Sequence, residues 1–269
     1  AMDTTSSRNG GDSHDRLKFV LVDSQTFNSV NIMPTAKEKR KVRRSMENAA
    51  HRERGMDLLP FKAMTWTQDE FWNLMEKNTV TLAHGHAGTG KTLLALWFGM
   101  TQVSKGEIEK VIYIRSDVGV DFQRGRGALP GDFNEKVRPL LGPVLDNLPV
   151  MMRNQGASEY LISKNIIEPV LLEDVRGRSF NDCFVVVDEA QNMLPTHVKT
   201  CLTRIGDGSK MAMVGDTKQS DLDVFRRDNG LLDAVHRLDN MRDVGIVRFE
   251  KEDIVRNSVI AHILDRYDD

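Results

Sequence analysis

Eight residues, Gly85-His86-Ala87-Gly88-Thr89-Gly90-Lys91-Thr92, constrain this chain more than any other stretch. They fit G-x-x-x-x-G-K-[ST] throughout. An apolar run, Val80-Thr81-Leu82-Ala83, precedes them, and a helix-forming run, Leu93-Leu94-Ala95-Leu96-Trp97, follows. Strand, glycine-rich turn and helix in that order build an anion cradle. The glycines let backbone N–H groups turn inward, and the helix N-terminus adds its positive dipole end. Lys91 is placed to reach the β- and γ-phosphates of a nucleoside triphosphate, and the Thr92 hydroxyl to sit on Mg²⁺. Residues 85–92 are therefore read as a site for ATP with Mg²⁺.

Short apolar runs alternate with helical stretches around this loop. The runs are Thr79–Ala83, Val111–Ile114, Pro169–Leu172, Phe184–Val187, Met211–Val214 and Val244–Phe249, and amphipathic stretches lie near 91–104, 134–149, 195–204 and 229–239. Such alternation predicts an α/β fold with a mostly parallel sheet and helices on both faces. A near-continuous apolar strand such as Phe184-Val185-Val186-Val187 fits a sheet buried on both sides. Upstream, Thr67 followed by Glu70 predicts a capped helix start. Residues 17–22 read as a short strand, and 36–54 as a basic helix ending at Gly55. The expected organisation is a polar tail over 1–16, an N-terminal extension over 17–60, and the ATP-binding domain over 61–269.

Composition excludes several classes. The chain is 40% hydrophobic and 28% charged, as in ordinary soluble domains. No apolar run approaches the ~20 residues that span a bilayer, and the polar tail lacks a signal-peptide core. Cys183 and Cys201 have no metal-ligand spacing, and Cys183 reads as a packing residue. A cytoplasmic location is the expectation. The net charge of −2 hides a basic segment, Thr35–Arg54, with eight Lys/Arg against three Glu. That segment reads either as a handle for nucleic acid or as the solvated face of a helix.

Two further constellations point to hydrolysis. In Phe184-Val185-Val186-Val187-Asp188-Glu189 a strand ends in two carboxylates at the sheet's carboxyl edge. Asp188 is the expected Mg²⁺ anchor, and Glu189 the group that orients and deprotonates the attacking water. After the next strand, Gly215-Asp216-Thr217-Lys218-Gln219 offers Gln219 as a sensor of the γ-phosphate.

At these motifs the sequence resembles the PhoH-like family of ATPases, whose core is similar to the first motor domain of superfamily 1 helicases. The resemblance extends through Arg115, Leu129-Pro130-Gly131-Asp132, Arg176-Gly177-Arg178, Asp188-Glu189-Ala190-Gln191-Asn192, Leu202-Thr203-Arg204-Ile205-Gly206 and Asp253-Ile254-Val255-Arg256-Asn257. It covers roughly residues 62–266. Ser116 departs from it, standing where the family pattern leads one to expect proline. The resemblance implies a RecA-like P-loop fold and a homo-oligomer, with a hexameric ring as the expectation. Only 50 residues follow Gln219, too few for a second motor domain. Arg256, and after it Arg204, are therefore the candidates for neutralising charge on the γ-phosphate, in cis or from a neighbouring subunit.

Gln68 lies where helicase-like ATPases carry a base-reading glutamine, which implies adenine recognition. Arg115, Arg124, Arg126, Lys136 and Arg138 are the nucleic-acid candidates, together with the basic arm from Lys37 to Arg44. With 6% aromatic content, a stacking platform is not the expected binding mode. Two functions remain open: an ATPase that binds or unwinds single-stranded RNA or DNA, and an ATP-driven assembly switch acting on protein partners.

Overall fold

The computed structural model describes residues 57–116, 138–154, 156–216 and 229–256, together with Val42 and Met46. Six strands form one sheet: β1 (Val80–Gly85), β2 (Lys110–Arg115), β3 (Ile167–Val170), β4 (Cys183–Asp188), β5 (Lys210–Gly215) and β6 (Val244–Phe249). Their order is β3-β2-β4-β5-β1-β6, and every pairing is parallel. All six apolar runs of the sequence are strands here, each within a few residues of its expected bounds. Parallel pairing requires crossover connections, and those connections place helices on the faces.

Among the described residues the helices that do so are α1 (Trp66–Lys77), α2 (Lys91–Lys105), α3 (Gly142–Met151), α4 (Ala157–Ser163), α5 (Pro195–Leu202) and α6 (Gly230–Leu238). Two separate apolar clusters show how they divide. Phe71 and Met75 of α1, Leu94 and Phe98 of α2, Val144 and Leu148 of α3 and Leu161 of α4 pack with Val111, Phe184, Val186, Ala212 and Val214. On the other face Val198 and Cys201 of α5 and Leu231 and Ala234 of α6 pack with Ile112, Val185, Val187, Met211 and Met213. Successive strand side chains point to opposite faces, so alternate residues of each strand feed alternate clusters. None of the described helices is long and apolar enough to cross a membrane.

The helix-start signal at Thr67 resolves differently. The helix begins at Trp66, capped by Thr65, whose hydroxyl accepts from the Gln68 N–H at 3.2 Å. Two overlapping S/T-x-x-E/Q signatures compete here, Thr65…Gln68 and Thr67…Glu70. In the helix that starts there, Gln68, Phe71 and Met75 lie on the buried face. The amphipathic stretch at 134–149 contains a 3₁₀ turn, Arg138–Leu141, followed by α3. In the basic segment Val42 and Met46 are helical and exposed. Its other residues, like the expected strand at 17–22, lie outside the described residues. Cys183 and Cys201 are free and buried, and burial pushes the Cys201 thiol up to about 12, so both act as packing groups.

Helix α2 lies almost directly on the sheet because Gly99 has no side chain. A Cβ there would stand 2.8 Å from Phe184 Cδ1 and 2.9 Å from Val111 Cγ2. Glycine inside a helix costs about 1 kcal/mol against alanine, and here that cost accompanies close helix–strand contact. Gly99→Leu is expected to overpack this contact and destabilise the protein by about 3 kcal/mol. Urea denaturation should show the lower midpoint with an unchanged slope.

Candidate functional site

The phosphate loop leaves the sheet at the carboxyl end of β1, between β5 and β6. Gly85 sits at φ +123°, and a Cβ on it would lie 2.0 Å from the Phe249 carbonyl oxygen. Only glycine passes this close to β6 in this conformation. Gly88 and Gly90 also take positive φ, and Gly90 is the left-handed N-cap of α2. The first-turn N–H groups of α2 therefore face the loop without helical partners. His86 and Thr89 are buried in the loop, and the Thr89 hydroxyl donates to the His86 carbonyl at 3.0 Å.

Lys91 is 8% exposed. Its ammonium donates to the carbonyls of Gly85 at 2.7 Å and His86 at 2.6 Å, and to Thr89 Oγ1 at 3.2 Å. Burial pulls its pKa down to about 8, against the opposing pull of Asp216, Glu189 and Asp188.

The parity of β4 places the first carboxylate. Phe184 and Val186 face the α2 side, so Asp188, the next residue of that parity, points there as well. Thr92 Oγ1 donates to Asp188 Oδ1 at 2.8 Å, and the Tyr113 hydroxyl donates to Oδ2 at 2.6 Å. Tyr113 reaches it because β2 pairs with β4 and Tyr113 shares that face. Burial, and then the Asp188 carboxylate, hold the Tyr113 phenol well above its ordinary range, so it stays a donor.

Glu189 follows in the left-handed region, at φ +53°. A non-glycine residue there carries strain of about 1–3 kcal/mol, and the turn swings its side chain away from the strand. Gln191 Nε2 donates to Glu189 Oε2 at 2.6 Å, and the Arg115 guanidinium lies 3.7 Å from Oε1. The other end of Gln191 accepts from the Asp216 N–H at 3.1 Å, and Asp216 Oδ2 accepts from the Ala87 N–H at 3.1 Å. A continuous polar chain thus runs from Glu189 through Gln191 and Asp216 to the phosphate loop. Gln191 and Tyr113 have no assigned role in the sequence reading. The D-E-x-Q spacing was the available signal for Gln191, whereas Tyr113 is brought in by strand pairing alone.

Arg256 arrives from the far end of the chain. Beyond β6 a 3₁₀ turn, Lys251–Asp253, redirects the backbone, and the Val255 N–H donates to the Gly88 carbonyl at 3.2 Å. Arg256 consequently lines the same cavity as Lys91, Thr92, Asp188, Glu189 and Asp216, a space of about 520 Å³. Arg204 does not join them. Its carbonyl accepts from the Phe180 N–H at 2.8 Å, just before β4 begins, whereas Asp188 ends that strand. Six strand residues, about 17 Å, lie between Arg204 and the site of its own chain, whereas supply from a neighbouring subunit keeps its place as an expectation.

Gln68 is 4% exposed. Its amide donates to the Thr89 carbonyl at 3.1 Å, and its oxygen accepts from the Met64 N–H at 2.8 Å. Both ends are committed to the protein, which conflicts with a free base-reading carboxamide. Ser116 uses the two groups a proline would lack: its N–H donates to the Asp188 carbonyl and its hydroxyl to that of Asn192. Arg115 faces Glu189, and Arg138 lies in the 3₁₀ turn before α3. Arg124, Arg126, Lys136 and Gln219 lie outside the described residues.

One hydroxyl and one carboxylate side by side suit Mg²⁺, which takes few protein ligands and completes its shell with water and substrate phosphates. No cluster of three or more His, Cys, Asp or Glu side chains able to hold a metal exists among the described residues.

A parallel sheet with this loop at one strand end and an acidic pair at another defines a P-loop NTPase fold. The family model described as "PhoH-like protein" matches residues 60–268, and the chain belongs to that family, a family of P-loop ATPases. It is 36% identical over 207 residues to a PhoH-like protein of Bacillus subtilis (strain 168), covering 77% of this chain and 64% of that one. A PhoH-like protein of Mycobacterium tuberculosis (strain ATCC 25618 / H37Rv) is 36% identical over 203 residues, covering 76% and 56%. Protein PhoH of Escherichia coli (strain K12) is 34% identical over 215 residues, covering 78% and 59%. The chain thus spans roughly three fifths of the length of these relatives.

Removing the Gln68 amide strands the buried Thr89 carbonyl and takes the acceptor from the Met64 N–H. Gln68→Ala is expected to cost about 1–3 kcal/mol in thermal or urea unfolding, with the preference for ATP over GTP unchanged.

Proposed function

We propose that this chain binds and hydrolyses ATP in a Mg²⁺-dependent reaction, and couples that hydrolysis to single-stranded RNA or DNA. The observation that carries the hydrolytic part is the polar chain Glu189–Gln191–Asp216–Ala87 beside the Thr92–Asp188 pair. It joins a carboxylate able to take a proton to the loop that would hold the phosphates.

In this reading the triphosphate draws the Lys91 ammonium from the Gly85 and His86 carbonyls onto its β- and γ-oxygens. Thr92 and Asp188 would hold Mg²⁺, which would supply charge neutralisation to the phosphates. Glu189, fixed by Gln191, accepts a proton from water as the water oxygen bonds to the γ-phosphorus and the bond to the β–γ bridging oxygen breaks. Arg256, already against Gly88 of its own chain, meets the charge that develops. Gln219 is the proposed γ-phosphate sensor. Assembly into a homo-oligomer, with a hexameric ring as the form implied by resemblance, would add neighbouring subunits around this site.

The nucleic-acid part is supported by Arg115. This cation at the sheet's carboxyl edge contacts Glu189, so a polyanion drawing on Arg115 would alter the field at the proton acceptor. An ATPase assay at low salt, with and without single-stranded RNA or DNA, tests the coupling. Stimulation by polymer is expected, and it should fade steeply with salt. Insensitivity to both polymers favours the switch acting on protein partners.

Two predictions address the chemistry. Glu189→Gln should keep ATP affinity within a few-fold while kcat falls by about 10²–10⁴, as read by calorimetry beside phosphate release. Asp188→Asn, by contrast, should raise the Mg²⁺ concentration needed for half-maximal phosphate release.

Lys91 gives a pH signature. Below its value of about 8 it is already charged, so it adds no pH dependence to binding there. Above that value each binding event must take up a proton. ATP affinity should fall by up to about tenfold per pH unit between the free and bound pKa values. Calorimetry at pH 7 and 9, in buffers of different ionisation enthalpy, measures the uptake. Lys91→Arg, charged throughout, should abolish it.

A further inference from the structure

One wall of the phosphate-loop cavity is made by α3, which no sequence motif marks. Pro143, Asp146, Asn147 and Val150 line the cavity together with Leu93, the first residue after the Lys91-Thr92 pair. Their spacing of i, i+3, i+4 and i+7 makes them one stripe of the helix. Val144, Leu148 and Met151 form the opposite stripe and are fully buried in the core. The core face therefore fixes the rotation of α3 and presents the first stripe to the loop.

Val150 is 53% exposed, an apolar side chain left open beside a polar loop, and Asp146 is exposed near it. Asn147 Nδ2 donates to the Pro143 carbonyl at 2.7 Å, which holds its side chain along the stripe. The bonded pair Thr92–Asp188 lines the same cavity. Asp146 does not join Asp188 and Glu189 in a metal-binding cluster. Gln68, the sequence candidate for reading the base, has both ends of its amide tied to Met64 and Thr89.

We propose that this stripe of α3 is the nucleoside subsite of the cavity. Val150 and Pro143 lie against the base, and the Asp146 carboxylate accepts hydrogen bonds from the ribose hydroxyls, a role carboxylates take in other nucleotide sites. The assignment rests on the reading of the cavity as an ATP site.

Calorimetry of wild type, Asp146→Ala and Val150→Ser tests it, each titrated with MgATP and separately with magnesium tripolyphosphate, which offers phosphates and no nucleoside. Asp146→Ala should weaken ATP binding by about tenfold and Val150→Ser by a smaller factor. Tripolyphosphate affinity should stay at the wild-type value in both. The substituted positions are exposed, so the thermal midpoint should hold and report intact folding. Unchanged ATP affinity in both variants overturns the subsite. So does an equal loss for tripolyphosphate, because the stripe would then act through the phosphate loop. A wild-type protein that binds tripolyphosphate and binds ATP no more tightly has no nucleoside subsite here. If it binds neither, the ATP reading itself falls and this assignment falls with it.

Discussion

The Asp188 carboxylate, 4% exposed, is the charge around which the described domain is arranged. Burying an ionised carboxylate is costly unless hydrogen bonds replace its water. Three donors do so here: the Thr92 hydroxyl from α2, the Tyr113 hydroxyl from β2 and the Glu189 N–H from the following turn. Each belongs to a different element, so α2, β2 and β4 must keep their mutual positions for the charge to remain satisfied. The apolar cluster that joins those elements through Phe98, Val111 and Phe184 supplies that rigidity.

A second constraint is the approach of the phosphate loop to its neighbours. Gly85 passes against Phe249, Gly88 accepts from Val255, and Thr89 accepts from Gln68. The loop is therefore held from α1, β6 and the segment after β6 at once. With Asp216 on Ala87, each contact fixes backbone that would otherwise be free to turn its N–H groups away from an anion. Preorganisation of this kind lowers the ordering cost of binding a charged ligand.

Much of this was legible in the sequence. Period and apolar content marked all six strands, because strands buried on both faces leave nearly continuous apolar runs. The loop residues and the Asp188–Glu189 pair were legible as a candidate site because each is a contiguous local pattern. Other assignments depended on distance. Arg204 and Arg256 are both late arginines beside motif residues, yet one lies at the wrong end of β4 and the other on the phosphate loop. Gln68 sits at a suggestive position, but the depth at which α1 packs commits its amide to the loop backbone. At the start of α1 two overlapping caps were available, and Thr65 rather than Thr67 accepts from the first turn.

By itself the sequence determined the class of fold and the loop at its centre, since hydrophobic period and a contiguous glycine-rich motif are local properties of the chain. The tertiary structure alone decided which distant groups meet that loop. Tyr113 comes to Asp188, Gln191 ties Glu189 to Asp216, and Arg256 and the α3 stripe enter the cavity wall. Those meetings follow from strand order and helix rotation, which the whole core sets together, so no short window of sequence contains them.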